Sequence, residues 1–189
     1  MPWLLYQAQT GALGREPIKA LEHELGELAL QLLILGLTIT PLRRHLGLNL
    51  IKFRRMIGVL AFTYVALHLL VWVVLDMSLL WGQMWNDIWK RPYITVGMLG
   101  FVALVPLAIT SNNLSVRKIG AGAWRKLHKL TYVAVLAGGV HYLWLARGFQ
   151  LEPILYMVVS VGLLVLRLPK RRAERVPVSG GNAAEAWGF

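Results

Sequence analysis

The sequence predicts an all-α membrane protein, a helical bundle with five spans. Three observations carry that prediction. Of the 189 residues, 57% are hydrophobic and 15% charged, against about 45–50% and about 25% in soluble domains. The apolar residues gather in runs close to the ~20 that a bilayer-crossing helix needs. Most of the charges fall between these runs rather than within them.

The runs lie at 25–40, 56–76, 93–111, 127–146 and 151–168. Each is expected to be helical, because lipid offers no partner to an unpaired backbone group. The first is short and is followed by Thr40-Pro41 and Arg43-Arg44, so helix and bilayer are expected to end there together. The third contains Pro106, which removes a backbone donor and is expected to kink the helix. Ahead of these runs, 1–24 reads as a periplasmic segment. Met1–Tyr6 is too short to span and lacks the basic region of a signal peptide, so it reads as the stump of a further span. Residues 25–168 form the transmembrane domain, and 169–189 a basic cytoplasmic tail expected to be disordered.

Orientation follows from the cations. Arg43, Arg44, Lys52, Arg54 and Arg55 lie in one connection, and Arg117, Lys118, Arg125, Lys126 and Lys129 in another. Arg167, Lys170, Arg171, Arg172 and Arg175 lie at the C-terminal end. Fifteen of the 20 Lys and Arg thus share one side, which the positive-inside rule makes cytoplasmic, with the N-terminus outside. The net charge of +11 is therefore a topology signal and not a nucleic-acid footprint. Seven of the nine acids (Glu16, Glu22, Glu24, Glu27, Asp76, Asp87 and Glu152) fall on the outer side. The absence of cysteine excludes disulfides, iron–sulfur clusters, thiolate-ligated haem and covalent c-type attachment.

An ionisable side chain inside a span is costly and marks a candidate functional site. His68 and His141 both sit deep in apolar runs, while His23 and His45 lie near or outside span ends. The second and fourth spans run in the same direction, so depths compare directly. His68 lies about 18 Å from Met56 and His141 about 21 Å from Leu127, which puts both at one level in the outer half of the membrane. Two such imidazoles suit a non-covalent, six-coordinate b-type haem, which favours electron transfer over oxygen chemistry. The competing explanation is that each histidine makes an interhelical hydrogen bond. Zinc is a weaker rival, since structural zinc takes four Cys or His ligands.

A second haem would need one more histidine on each helix. His128 stands thirteen residues before His141, but the matching position on the second span is Arg54, at about 40° from His68 on the helical wheel. Arginine does not ligate iron, so one haem per chain is expected. Ideal helix would also turn His128 about 140° away from His141. Three roles are open to it: an alternative ligand, a group at an inner quinone or flavin site, or an interfacial residue. Arg54, Arg55, Arg125 and Lys126 could bind a flavin phosphate or a quinone oxygen, but orientation and anionic-lipid contact form the stronger reading for most of them. Arg91-Pro92-Tyr93 opens the third span, where Arg91 fits either a haem propionate or an interfacial anchor. Gly138 and Gly139 leave room beside His141, or serve helix packing. Trp81, Trp85 and Trp89 recur every four residues, a stripe suited to the headgroup layer. No Gly-x-Gly-x-x-Gly follows a strand and no stretch is large enough for a nucleotide domain, so electrons must enter from a membrane quinol or a separate flavoprotein.

Several of these residues resemble a known family. Arg54-Arg55-Met56-Ile57-Gly58 leads to Leu67-His68. Further along stand Arg91-Pro92-Tyr93, Trp124-Arg125-Lys126-Leu127-His128 and His141-Tyr142-Leu143-Trp144. With Gly14-Arg15-Glu16-Pro17 and Thr38-Ile39-Thr40-Pro41-Leu42 they resemble, over 14–170, the MsrQ (YedZ) haem-binding membrane subunits of the ferric-reductase-like transmembrane superfamily. The resemblance implies a six-span bacterial inner-membrane protein that binds b-type haem and FMN. It would pass electrons from the quinone pool, or from a cytoplasmic flavin reductase, to the periplasmic molybdopterin subunit MsrP, which reduces methionine sulfoxide in periplasmic proteins. The chain would then be an electron-transfer subunit rather than the catalytic one. On this resemblance His68 and His141 are the haem ligands, His128 is the family's further functional histidine, and Arg54 stands where two-haem relatives carry a ligand. The family's first span is nearly absent here, so a late start or a shortened chain is expected. The alternatives are a ferric or quinone reductase with another acceptor, and a non-redox transporter whose histidines move protons.

Overall fold

The computed structural model describes residues 16–146 and 150–167, and all of these residues lie in helices, turns or short connections without a strand. The stump expected at Met1–Tyr6, the basic tail at 169–189 and Arg147 lie outside the described residues. Eight helices are described: α1 Pro17–Leu46, α2 Arg54–Val71, α3 Trp81–Lys90, α4 Pro92–Ile109, α5 Asn113–Ile119, α6 Ala121–Leu127, α7 Leu130–Leu145 and α8 Leu151–Leu166. Three helical stretches are long and apolar enough to cross a membrane: Pro17–Leu46, Ile51–Asp76 and Pro92–Ile109. The sixteen-residue α7 and α8 reach about 24 Å each.

The bundle forms because each long helix carries a stripe of small and aliphatic residues. Leu30, Leu33, Ile34 and Leu37 of α1 meet Ala61 of α2, Ala103, Leu104 and Leu107 of α4, and Ala134 and Val135 of α7 in one buried cluster. The closest pairings are α1 with α2 and α4 with α7. Gly100 lets α4 approach α7, since a Cβ there would lie 3.3 Å from that of Ala137. The α8 helix packs on α7 and α1, and α3 packs on α4.

The first helix departs from expectation. It begins at Pro17, not at 25, with Pro in its first turn and Leu21 and Leu25 buried, so 17–24 belong to the bundle. It also runs through Pro41 to Leu46 and ends at Gly47, whose φ of 70° is left-handed. The expected stop at Thr40-Pro41 does not occur. Pro41 withholds the N–H that the Leu37 carbonyl would accept. Arg167, at the end of α8, supplies the replacement: its Nε and Nη2 donate to that oxygen at 3.2 and 2.8 Å, and Nη2 also reaches Gly36 O at 3.3 Å. The guanidinium also donates to the Tyr132 hydroxyl at 3.2 Å and lies 5.5 Å from the centre of that ring. The α4 helix likewise runs through Pro106 without stopping.

The α2 helix continues past Val71 as a single wide turn, Trp72–Asp76, in which Trp72 is buried. Such π-turns insert one residue and often border functional sites. A tight turn with positive φ at Ser78 and Leu79 then leads into α3. Here Met84 and Asp87 face inward, while Trp81, Trp85 and Trp89 are 70%, 62% and 67% exposed. The stripe thus points away from the bundle, as a headgroup-layer helix would.

Candidate functional site

His68 comes from α2 and His141 from α7, one on each of the bundle's two closest helix pairs. Their ring centres lie 6.2 Å apart with planes at 82°. His68 Nδ1 is 2.8 Å from the Glu22 carbonyl of α1, and His141 Nδ1 is 2.7 Å from the Tyr93 carbonyl of α4. A carbonyl only accepts, so both Nδ1 atoms carry the proton and donate it. That leaves each Nε2 with a lone pair, the arrangement by which backbone carbonyls orient metal-binding histidines.

The same local device appears twice. Gly26 follows Glu22 by four residues and Gly97 follows Tyr93 by four, so each glycine lies one helical turn beyond the accepting carbonyl. A Cβ on Gly26 would come within 3.1 Å of His68 Nδ1, and one on Gly97 within 2.8 Å of His141 Nδ1. Each ring therefore lies against a stretch of helix that only glycine leaves open. Gly138 and Gly139 do not play this part. A Cβ on Gly138 would meet Leu30 at 3.5 Å, an ordinary contact, while one on Gly139 would lie 3.2 Å from Met157, so Gly139 serves the packing of α7 on α8.

The interhelical bonds expected of polar groups in lipid are thus present, but they occupy only one nitrogen of each ring. Two metal–nitrogen bonds of about 2 Å, with the ring's half-width added at each end, come to about 6 Å between centres, close to the observed separation. Among the described residues no group of three His, Cys, Asp or Glu could hold a metal ion. A metal at this place would have two protein nitrogens and would bring its other ligands with it, as a porphyrin does.

Arg91 stands at the mouth of α4. Its Nε is 3.6 Å from the buried Asp87 carboxylate, and Nη1 donates to the Tyr93 hydroxyl at 3.3 Å. The Tyr93 ring is in turn 6.1 Å from that of His141. Thr95 Oγ1 donates to the Ile88 carbonyl, tying α4 to α3. The remaining candidates gather at the opposite, basic end. His128 sits where α6 gives way to α7, stacked on Trp124 at 3.7 Å, with Nδ1 3.1 Å from Trp124 O. Its Nε2 is buried and has no hydrogen-bond partner among the described residues. Arg54 begins α2, Arg55 donates to Asn113 Oδ1 at 2.8 Å, and Arg125 is exposed on α6. Sequence reasoning missed Gly26, Gly97 and the structural place of Arg167. The available signal was a glycine inside each of two apolar helical runs, though each run also holds a second one, Gly36 and Gly100.

Comparison with known proteins adds a family. The ferric reductase like transmembrane component matches residues 25–139, a stretch that holds His68, His128 and both cradle glycines and stops two residues short of His141. A protein of Caulobacter vibrioides described as the protein-methionine-sulfoxide reductase heme-binding subunit MsrQ is 47% identical, over 89% of this chain and 80% of its own length. MsrQ proteins of Agrobacterium fabrum and Brucella anthropi are 46% and 43% identical. They align over 88% and 94% of this chain, and over 77% and 80% of their own lengths.

Proposed function

Since the chain belongs to the ferric-reductase-like transmembrane family, and within it to the MsrQ heme-binding subunits, we propose that it is a membrane b-type cytochrome serving methionine sulfoxide reduction as an electron-transfer subunit. The observation that carries this reading is the histidine pair: two rings 6.2 Å apart, each with Nδ1 committed to a carbonyl and Nε2 left as a donor to metal. In this reading His68 and His141 hold one haem b. A haem held by these two residues would supply single-electron transfer rather than oxygen chemistry.

The chain's own residues set the conditions for that chemistry. The Glu22 and Tyr93 carbonyls fix the tautomer and aim of the rings. Arg91, held at the mouth of α4 by Asp87 and Tyr93, would supply the positive charge for a haem propionate. At the basic end His128, Arg54, Arg55 and Arg125 offer donors and positive charge to FMN or to a quinone oxygen. The donor is a membrane quinol or a cytoplasmic flavin reductase, and the acceptor is the periplasmic molybdopterin subunit MsrP. The cation distribution supports an inner-membrane protein with a cytoplasmic C-terminus and the histidine pair nearer the periplasm.

The test is to purify the full chain in detergent and record oxidised and dithionite-reduced spectra, with pyridine haemochrome quantitation and flavin extraction. One haem b per chain with extractable FMN is the expected result. A chain purified without any haem after haem is supplied would overturn the reading.

A further inference from the structure

We propose that Glu27, Gln31 and Tyr156 form the headgroup site of a membrane-soluble quinol, the reductant of the electron-transfer role above, on which this inference rests. Tyr156 of α8 donates its hydroxyl to Glu27 Oε1 of α1 at 2.9 Å. Gln31 Nε2 donates to the same oxygen at 2.9 Å and to the Tyr156 oxygen at 2.8 Å. An ionisable group within a span is costly and calls for a partner, yet no cation pairs with Glu27 among the described residues. Its Oε2 and the Gln31 Oε1 take no hydrogen bond from any described residue, and Gln31 is exposed.

Two open acceptors in a lipid-facing place select the chemistry of the occupant. A phosphate or carboxylate brings further acceptors and negative charge, and would be repelled. A hydroxylated ring with an apolar tail brings the O–H donors that the acceptors lack. Tyr156 stands five residues into α8, about 7–8 Å below the helix start, where a ring carried by a lipid-soluble tail resides. The cavity between α2, α3 and α4, by contrast, is lined by Leu69, Trp72, Val73, Met84, Ile88 and Met98, among others, and offers no acceptor for a hydroxyl.

The location also links the network to the histidines. The Tyr156 and Tyr142 rings are 6.0 Å apart, and Tyr142 follows His141 directly. Glu27 follows Gly26, against which His68 lies. Oxidation of one quinol to quinone releases two electrons and two protons. A haem held by His68 and His141 would take the electrons one at a time, the first passing on to the acceptor before the second arrives, and the two protons would leave by way of the Glu27 carboxylate to the aqueous face.

The experiment photolabels the wild-type full chain with an azido-ubiquinone. It also measures the Kd of decylubiquinol by equilibrium dialysis for wild type, Glu27→Gln and Tyr156→Phe, with dithionite-reduced spectra confirming that each variant is folded. Label on the peptides around Glu27–Gln31 or Tyr156 is expected, together with a Kd raised at least about fivefold, the equivalent of one lost hydrogen bond. Label confined to the α2–α3–α4 cavity or to the basic end, or a smaller change in Kd, overturns the inference. Labelling does not depend on haem: a labelled chain without haem sinks the electron-transfer reading alone, and a haem-loaded chain unlabelled at this site sinks the quinol site alone.

Discussion

At the scale of the residue, the site rests on two imidazoles and the two glycines beneath them. His68→Ala or His141→Ala should abolish a low-spin b-type spectrum, while His128→Ala, thirteen residues away on the α7 side, should keep most of it. Full haem retention in both of the first two variants would sink the assignment. The glycines permit a finer test. Gly97→Ala places a methyl 2.8 Å from His141 Nδ1, and Gly26→Ala places one 3.1 Å from His68 Nδ1. Overpacking of this kind costs about 1–3 kcal/mol, and the closer contact should cost more. Haem content, measured with the reduced spectrum, should therefore fall further in Gly97→Ala than in Gly26→Ala. Equal and complete haem binding in both would show that the rings do not depend on these close approaches.

At the scale of the element, α1 survives a proline because another helix repairs it. Arg167→Ala leaves the Leu37 carbonyl without its donors, a loss of about 1–3 kcal/mol for a buried acceptor. Pro41→Ala restores the missing N–H within α1. Arg167→Ala should then be less damaging in the Pro41→Ala background than in the wild type. Thermal unfolding of the four proteins in detergent, treated as a double-mutant cycle, measures this coupling directly. Additive effects would mean that Arg167 acts through its Tyr132 contacts instead.

At the scale of the whole molecule, the orientation drawn from the cations is open to chemical labelling, and the absence of native cysteine makes single-cysteine probes unambiguous. Gln83→Cys on α3 should react with an impermeant maleimide in intact spheroplasts, whereas Lys118→Cys on α5 should react only after lysis. The reverse pattern would invert the topology. What was legible in the sequence follows physical range. Hydropathy is a local property, so the second span was read as 56–76 and the helical stretch is Ile51–Asp76. The histidine pair was legible because an ionisable group in an apolar run stands out and depth follows from helical rise. The cradle was not, since His68 and His141 meet their carbonyls across 46 and 48 residues of chain. Nor was the helix through Pro41, where the Leu37 carbonyl is satisfied from 130 residues further along the chain. Pattern within one helix does not say which face of another helix it will meet.

The repeated carbonyl-and-glycine device also bears on how the bundle holds together. Each half of it belongs to a different helix pair, α1 with α2 and α4 with α7. A group that takes one nitrogen from each ring therefore ties the two pairs to each other. By mass action, such a group favours the assembled state over any state in which the pairs have separated, in proportion to RT ln(1 + [L]/Kd). The thermal midpoint should thus climb with added haem, and α2 and α7 should exchange their amide hydrogens more slowly in step. A haem held by both rings would thus be a structural clasp as well as a redox group, and cells short of haem would then lose the protein along with its chemistry.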